Sequence, residues 1–316
     1  MKLIKPSVEI WDQEEGLNGI YKSIERAGRI CYKSSDKITK DSAKPFVDRM
    51  IKSLHHSMLE QGTVYLTIPR EDINYHIYLS KYRDNPYSEC RVAQTLEGIP
   101  VGSLYISTNY RVIIEHDWTD DLKYLCKPTK FHEKRISVHF TCDRGIWNEF
   151  IRHKTLQRGD DCEVYPIVDY DSEQNNSFAQ ESTRYCNFSK NKFNNEITYI
   201  IPSWLNIPEA EYGTIHDPKE IQFKEYTDSS EKEFINHLLN SEYRYFNLLK
   251  SGWTPQQARQ VLPNALKTEL IMTGYISDWK HFVDLRYRGT TGKPHPDAFY
   301  LAEKLYNLFK EKGIDV

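Results

Sequence analysis

A mixed helix-and-strand fold organised as one large domain over residues 1–316 is what the sequence predicts, on three observations. The chain of 316 residues lies near the upper end of what a single hydrophobic core can organise. Apolar and polar side chains alternate over 63–68 and 136–142, the pattern of half-buried strands. Apolar residues also recur at helical spacing, from Leu17, Ile20, Tyr21 and Ile24 near the start to Ala298, Leu301, Leu305 and Phe309 near the end.

Taken in order, the Leu17 helix is followed by a second with Phe46, Val47, Met50, Ile51 and Leu54 on one face. His55 to Glu60 then joins that helix to the first strand, and connecting loops of this kind either bind ligands or are polar turns. The second strand runs into a helix carrying Ile146, Trp147, Phe150 and Ile151, which ends near Arg152-His153-Lys154. Residues 157–176 are acidic and turn-rich and read as a long exposed loop projecting outward; a lid closing through Tyr165, Pro166 and Ile167 is the alternative. Ser230 with Glu233 forms a capping box before a helix bearing Phe234, Leu238, Leu239, Phe246 and Leu249. Thr254-Pro255 opens another, with proline at the first helical position. A helix from about Ser277 buries Trp279, Phe282 and Val283 and displays His281 and Arg286; the last starts at Pro296. Gly289 to Pro294 lacks the spacing of a phosphate-binding loop and reads as a turn.

Composition narrows the function. Apolar residues make up 39% and charged residues 28%, a globular rather than disordered balance. No apolar run reaches the roughly 18 residues of a membrane helix and the first residues lack a signal stretch, so a cytoplasmic protein without a membrane partner is expected. A net charge of −3 provides no overall field for nucleic acid, and none is expected as a partner. The six cysteines form no C-x-x-C pair and no Cys/His cluster, so neither a metal site nor a disulfide framework is expected.

Four arginines stand among core-type residues: Arg152, Arg184, Arg259 and Arg286. The guanidinium is a permanent, planar, five-donor cation, so several in one cleft suit a phosphate or carboxylate, whereas each alone suits a surface ion pair. His153 is either a donor to an anionic ligand or a helix-end cap. Ser182, with no adjacent base, reads as a phosphate or backbone donor rather than a nucleophile.

Together these segments resemble the flavin-dependent thymidylate synthases. The family signature of Arg-His-Arg, a spacer and Ser-x-Arg is matched by Arg152-His153-Lys154 and by Ser177 to Tyr185, with Ser182-Thr183-Arg184 at its end. Its His-x-Ser-x-Leu-Glu element is matched by His55 to Glu60, and its C-terminal elements by Ala258 to Pro263 and His281 to Arg286. The resemblance spans the chain apart from about 69–132 and 157–176, which read as insertions. Two departures stand out: Lys154 replaces an arginine, which keeps the charge and loses the fork, and about twenty extra residues split the signature.

The resemblance implies an α+β protomer, a twisted β-sheet flanked by helices, assembling as a homotetramer with shared active sites. It implies FAD, NADPH and methylene-tetrahydrofolate acting on dUMP, and places His55, Ser57, Arg152, His153, Lys154, Gln180 and His281 at cofactor or folate. By the same resemblance, Glu149, Arg152, Gln180, Glu181, Ser182, Thr183, Arg184, Arg259 and Arg286 would line the dUMP site, with Arg286 expected as the catalytic residue, set against the uracil. Two alternatives remain: hydroxymethylation in the same site, or a non-catalytic nucleotide- or RNA-binding protein on the same scaffold.

Overall fold

The computed structural model describes residues 1–93, 95–96, 99–153, 176–182, 187–190, 193, 195–214, 216–217 and 229–316. In chain order these form β1 (Lys2–Ile4), β2 (Ser7–Trp11), α1 (Gly16–Cys31), α2 (Ala43–Lys52), β3 (Thr63–Ile68), α3 (Tyr75–Arg83), β4 (Glu89–Val92), β5 (Thr95–Leu96), β6 (Ile99–Pro100), β7 (Leu104–Asn109), α4 (Tyr110–Glu115), β8 (Arg135–Asp143) and α5 (Arg144–Phe150). After residue 176 come β9 (Ser177–Gln180), β10 (Thr198–Ile200), β11 (Ala210–Glu211), α6 (Ser229–Lys250), α7 (Pro255–Ala258), β12 (Lys267–Tyr275), α8 (Ile276–Val283) and α9 (Pro296–Glu311). The class is α+β.

The two strands foreseen from alternation form, in different sheets. β8 sits in an antiparallel sheet of order β2-β8-β12-β9, paired along its whole length from Arg135↔Tyr275 to Asp143↔Lys267. Because successive side chains point to opposite faces, Phe140, Leu270 and Met272 lie on one face. There they pack with Phe150, Trp279, Phe282, Leu301 and Leu305 from the helices that cover it. His139, Glu269, Ile271 and Thr273 lie on the other, where Ala27 and Ile30 of α1 pack on Ile271.

β3 belongs to a second sheet, β3-β7-β4, with β7 matched to all six of its residues from Thr63↔Asn109 to Ile68↔Leu104. The segment 69–132, expected as an insertion, is therefore what completes this sheet, and its Tyr75, Tyr82, Leu104, Ile106 and Ile113 share a core with α1 and α2. A third sheet, β10-β1-β11, packs beneath α6.

Ser230 lies in the first turn of α6 as described, and the next residue, Glu231, ties that turn down: its carboxylate accepts from the Asn206 N–H at 2.9 Å. The Thr254 capping box forms with Gln257, but the helix it opens is only four residues before a tighter turn over Arg259–Val261. Gly289 takes a left-handed φ of +66°, ending the turn after α8 as the 289–294 reading requires. No helix among the described residues is long and apolar enough to cross a membrane.

Candidate active site

α5 and α8 lie on the same face of the central sheet, joined through Phe150 and Phe282, whose rings meet edge to face at 5.0 Å. That packing brings the ends of both helices together. Beyond α5, His153 is 5% exposed; beyond α8, the chain widens into a single π-turn over Asp284–Arg288 that carries Arg286. Such turns project a side chain off the regular helical spacing and are common at functional sites.

Arg286 is held by three bonds. Its Nε donates to His153 Nε2 at 2.8 Å, its Nη1 to Glu149 Oε2 at 2.9 Å and its Nη2 to the Glu149 carbonyl at 3.1 Å. Burial, together with the positive charge of Arg286 and the nearby His281, pushes the His153 pKa down to about 3. At neutral pH the imidazole is thus uncharged, and since Nε2 accepts, its proton sits on Nδ1. Burial also lowers the Arg286 pKa, with Glu149 opposing and Arg152 reinforcing that shift. Arg152 and His281 are exposed beside the cluster, and the His281 ring lies 6.1 Å from that of His153. Glu149, Arg152, His153, His281 and Arg286 therefore converge, as their motifs suggest.

Gln180 lies on this face of the sheet, opposite Leu270, with its Nε2 on Thr268 Oγ1 at 3.2 Å. Glu181 does not. It follows β9 onto the α1 face, where Lys267 Nζ binds it at 2.7 Å and also binds Glu269. Lys33 and His139 complete that network on Glu269. The Ser182 N–H donates to the Cys31 carbonyl at the end of α1. His55 and Ser57 are exposed on a short 3-10 segment whose Met58 packs against the α1 side, so within one protomer they stand across the sheet from Arg286.

Arg259 stands apart as well. It lines a cavity of about 260 Å³ with Arg144, Gln260, Leu262 and Leu266. Arg144 and Glu149 are five residues apart on α5, roughly 140° around its axis, so the two arginine sites open on different sides of the helix. Burial first, and then the neighbouring Arg259 charge, lower the pKa of Arg144, with Glu181 opposing. Sequence reasoning missed Arg144; its only local signal is a position directly after Asp143, whose carboxylate caps α5 through the Ile146 N–H. Glu149 lines a second cavity, about 340 Å³, with Trp204, His295 and Asp297.

Lys154, Thr183 and Arg184 lie outside the described residues, as does the acidic stretch through residue 175. Asn176, expected in that exposed loop, is instead buried at 6% exposure, and its Nδ2 donates to the His153 carbonyl at 2.6 Å. The split signature is thus rejoined directly at its stem. Among the described cysteines, burial pushes Cys31 up to about 11 and raises Cys126 and Cys142 too, leaving protonated, weakly nucleophilic thiols. No group of three or more His, Cys, Asp or Glu side chains among the described residues is arranged to hold a metal ion.

Residues 127–312 match the family model described as thymidylate synthase complementing protein. Two solved structures of a UMP/dUMP methylase, PolB, from Streptomyces cacaoi resemble the chain at 14% identity, one bound with 5-Br dUMP and one with 5-Br UMP. Their TM-scores are 0.42 and 0.41, covering 98% of this chain and 93% and 92% of those chains. Comparison with curated proteins finds no match.

Proposed function

The chain belongs to the thymidylate synthase complementing proteins, the flavin-dependent thymidylate synthases, and from that membership we propose that it methylates dUMP to dTMP with FAD, NADPH and methylene-tetrahydrofolate. The observation that carries the reading is the Arg286 cluster, a half-buried cation oriented by Glu149 and a neutral His153.

Uracil is a weak nucleophile at C5 unless negative charge on its ring is stabilised. Arg286 supplies a fixed cation for that charge, and a preorganised donor of this kind is worth roughly 10² to 10³ in rate. His153 contributes no proton at neutral pH; it accepts from Arg286 Nε and sets the plane of the guanidinium. Glu149 partly neutralises Arg286 and restrains Nη1, which limits competition from solvent anions. Arg144 and Arg259, whose shared cavity opens on a different side of α5 from Arg286, would take the phosphate of a nucleotide whose uracil meets the Arg286 cluster of a neighbouring copy. Gln180 extends the dUMP surface on the same face. Glu181, bound to Lys267, would shape the segment leading to Ser182, Thr183 and Arg184 rather than touch the ring.

Bound FAD would supply the hydride that completes the methyl group, after reduction by NADPH. The residues present fit such a group. Arg152 and His281 are exposed donors beside the cluster, with Lys154 next in the chain. The Trp147 indole N–H is buried with no partner among the described residues. His55 and Ser57, across the sheet from Arg286, would reach cofactor or folate from a neighbouring copy. This separation supports a homotetramer with shared sites, and the same reasoning takes the whole chain as one catalytic domain.

The test is reconstitution. Purified protein with FAD should show a visible flavin band bleached by anaerobic NADPH, then release tritium from C5-labelled dUMP when methylene-tetrahydrofolate is added. The product by mass spectrometry should be dTMP. A 5-hydroxymethyl product would move the reading to the related chemistry, and absence of any flavin binding would reject it.

A further inference from the structure

Asn176 is the first described residue after the 154–175 stretch, yet it is buried, at 6% exposure. In the antiparallel register of β9 on β12, Ser177 faces Thr273, which sets Asn176 beside Gly274. The approach is close. A Cβ built on Gly274 would stand 2.0 Å from Asn176 Oδ1 and 3.1 Å from its Cγ, so only glycine leaves room for this side chain. From there the amide reaches back 23 residues to the His153 carbonyl. Next door, Ser177 Oγ accepts from Arg135 Nη2 at 3.0 Å, and Arg135 is itself buried at the start of β8. The arm that follows residue 175 is thereby fastened to the central sheet at two successive residues, Asn176 beside Gly274 and Ser177 on Arg135.

The bond matters because of what His153 does. α5 ends at Phe150, and the His153 N–H still bonds to the Phe150 carbonyl. The His153 carbonyl lies past the helix, where only a partner from elsewhere in the chain can fix it. With the carbonyl and the N–H both held, the direction of the Cα–Cβ bond is set, and the ring, packed 5.0 Å from that of Phe282, points Nε2 at Arg286.

We infer that Asn176 is a positioning residue for the Arg286 cluster: its amide latches the His153 carbonyl, with Gly274 providing the clearance, so that the His153–Arg286 pair is held regardless of the residues between 153 and 176. The role belongs to a segment the family signature does not contain, and it makes the interrupted signature geometrically continuous.

Asn176→Ala is the decisive variant, because it removes both N–H donors without adding a charge near the ring; Asn176→Asp, which keeps the volume but adds a carboxylate, accompanies it. Asn240→Ala, which removes an exposed side-chain bond of the same kind within α6, is the control. The first readout is the titration of His153 in the full-length protein labelled with ¹³C-histidine, its signal assigned by His153→Gln. The groups facing this ring are Arg286 and His281, with Glu149 and Arg152 acting through Arg286. Without the latch the ring gains solvent, and its midpoint should rise by about one unit or more in both variants and stay put in the control. The second readout is turnover, which rests on the methylation reading. It should fall about tenfold or more, with KM for dUMP changing far less, since the loss is of alignment and not of a phosphate contact. An unchanged His153 midpoint in folded Asn176→Ala overturns the inference, whatever the activity. A shifted midpoint in a protein that never methylates dUMP keeps the latch and rejects the function.

Discussion

Arg286 and His153 are joined side chain to side chain, Nε donating to Nε2 at 2.8 Å across 133 residues of sequence. The pairing makes the histidine an acceptor rather than a second cation, and it leaves the Arg286 charge as the only one at that contact. The arrangement stabilises an anion placed against the guanidinium without requiring proton transfer from the ring.

Replacing Arg286 by Ala should lower turnover by about 10² to 10³ while leaving FAD affinity within about threefold. Arg286→Lys keeps the charge but loses the three-bond fork, and should recover only a small part of the rate. Flavin absorbance titrations beside tritium release would measure both; equal small effects would reduce the cluster to ordinary ion pairing.

His153 links the cluster to pH. Its folded pKa of about 3 lies below the unfolded value near 6.5, so between those values the unfolded chain binds the extra proton. Stability from this group is complete above about pH 6.5 and falls as pH drops toward 3, with a slope of at most about 1.4 kcal/mol per pH unit. Urea unfolding at pH 7, 6 and 5 should show that decline, and His153→Gln should flatten it. If the variant declines just as steeply, other groups carry the acid sensitivity.

Arg144→Ala should raise KM for dUMP about tenfold, with kcat largely kept, because a phosphate contact made equally in ground and transition states affects binding alone. The preference for dUMP over deoxyuridine should shrink in proportion. A variant that loses kcat and leaves that preference intact would place the phosphate elsewhere.

Lys267 is wedged between Glu181 and Glu269. Burial by itself would raise the Glu269 pKa, but the His139 hydrogen bond and the charges of Lys267 and Lys33 outweigh it and hold the carboxyl far below its usual range. Lys267→Met leaves two buried carboxylates facing each other and should cost about 3 kcal/mol of stability at pH 7. The difference from wild type should narrow as the pH is lowered, because the Glu269 carboxyl without Lys267 takes up a proton more readily. Thermal or urea denaturation would detect it, and a neutral effect would mean that Lys33 and His139 suffice.

Much of this was legible in local pattern. Alternation located β3 and β8, helical spacing located the Phe46 and Leu301 faces, and Thr254-Pro255 marked a real cap. Those features depend on residues within a few positions of one another. The motif order likewise pointed to Glu149, His153, His281 and Arg286, and they do converge, because α5 and α8 each follow a strand of one antiparallel pair and leave it on the same face.

What no local pattern carries is which face of the sheet a residue meets and what closes around it. Gln180 and Glu181 are neighbours in sequence, yet the pleat sends them to opposite sides, one toward Thr268 and the other toward Lys267. Arg144 gains meaning only from Arg259, more than a hundred residues away. Residues 69–132 read as an insertion, yet provide the strand that pairs with β3. Asn176 reads as loop in a run of acidic and amide residues, and becomes buried only because Gly274, on a distant strand, lacks a Cβ. Side-chain chemistry and short-range spacing set the elements and the candidate residues; steric fit between strands far apart in sequence decided which of those residues stand together.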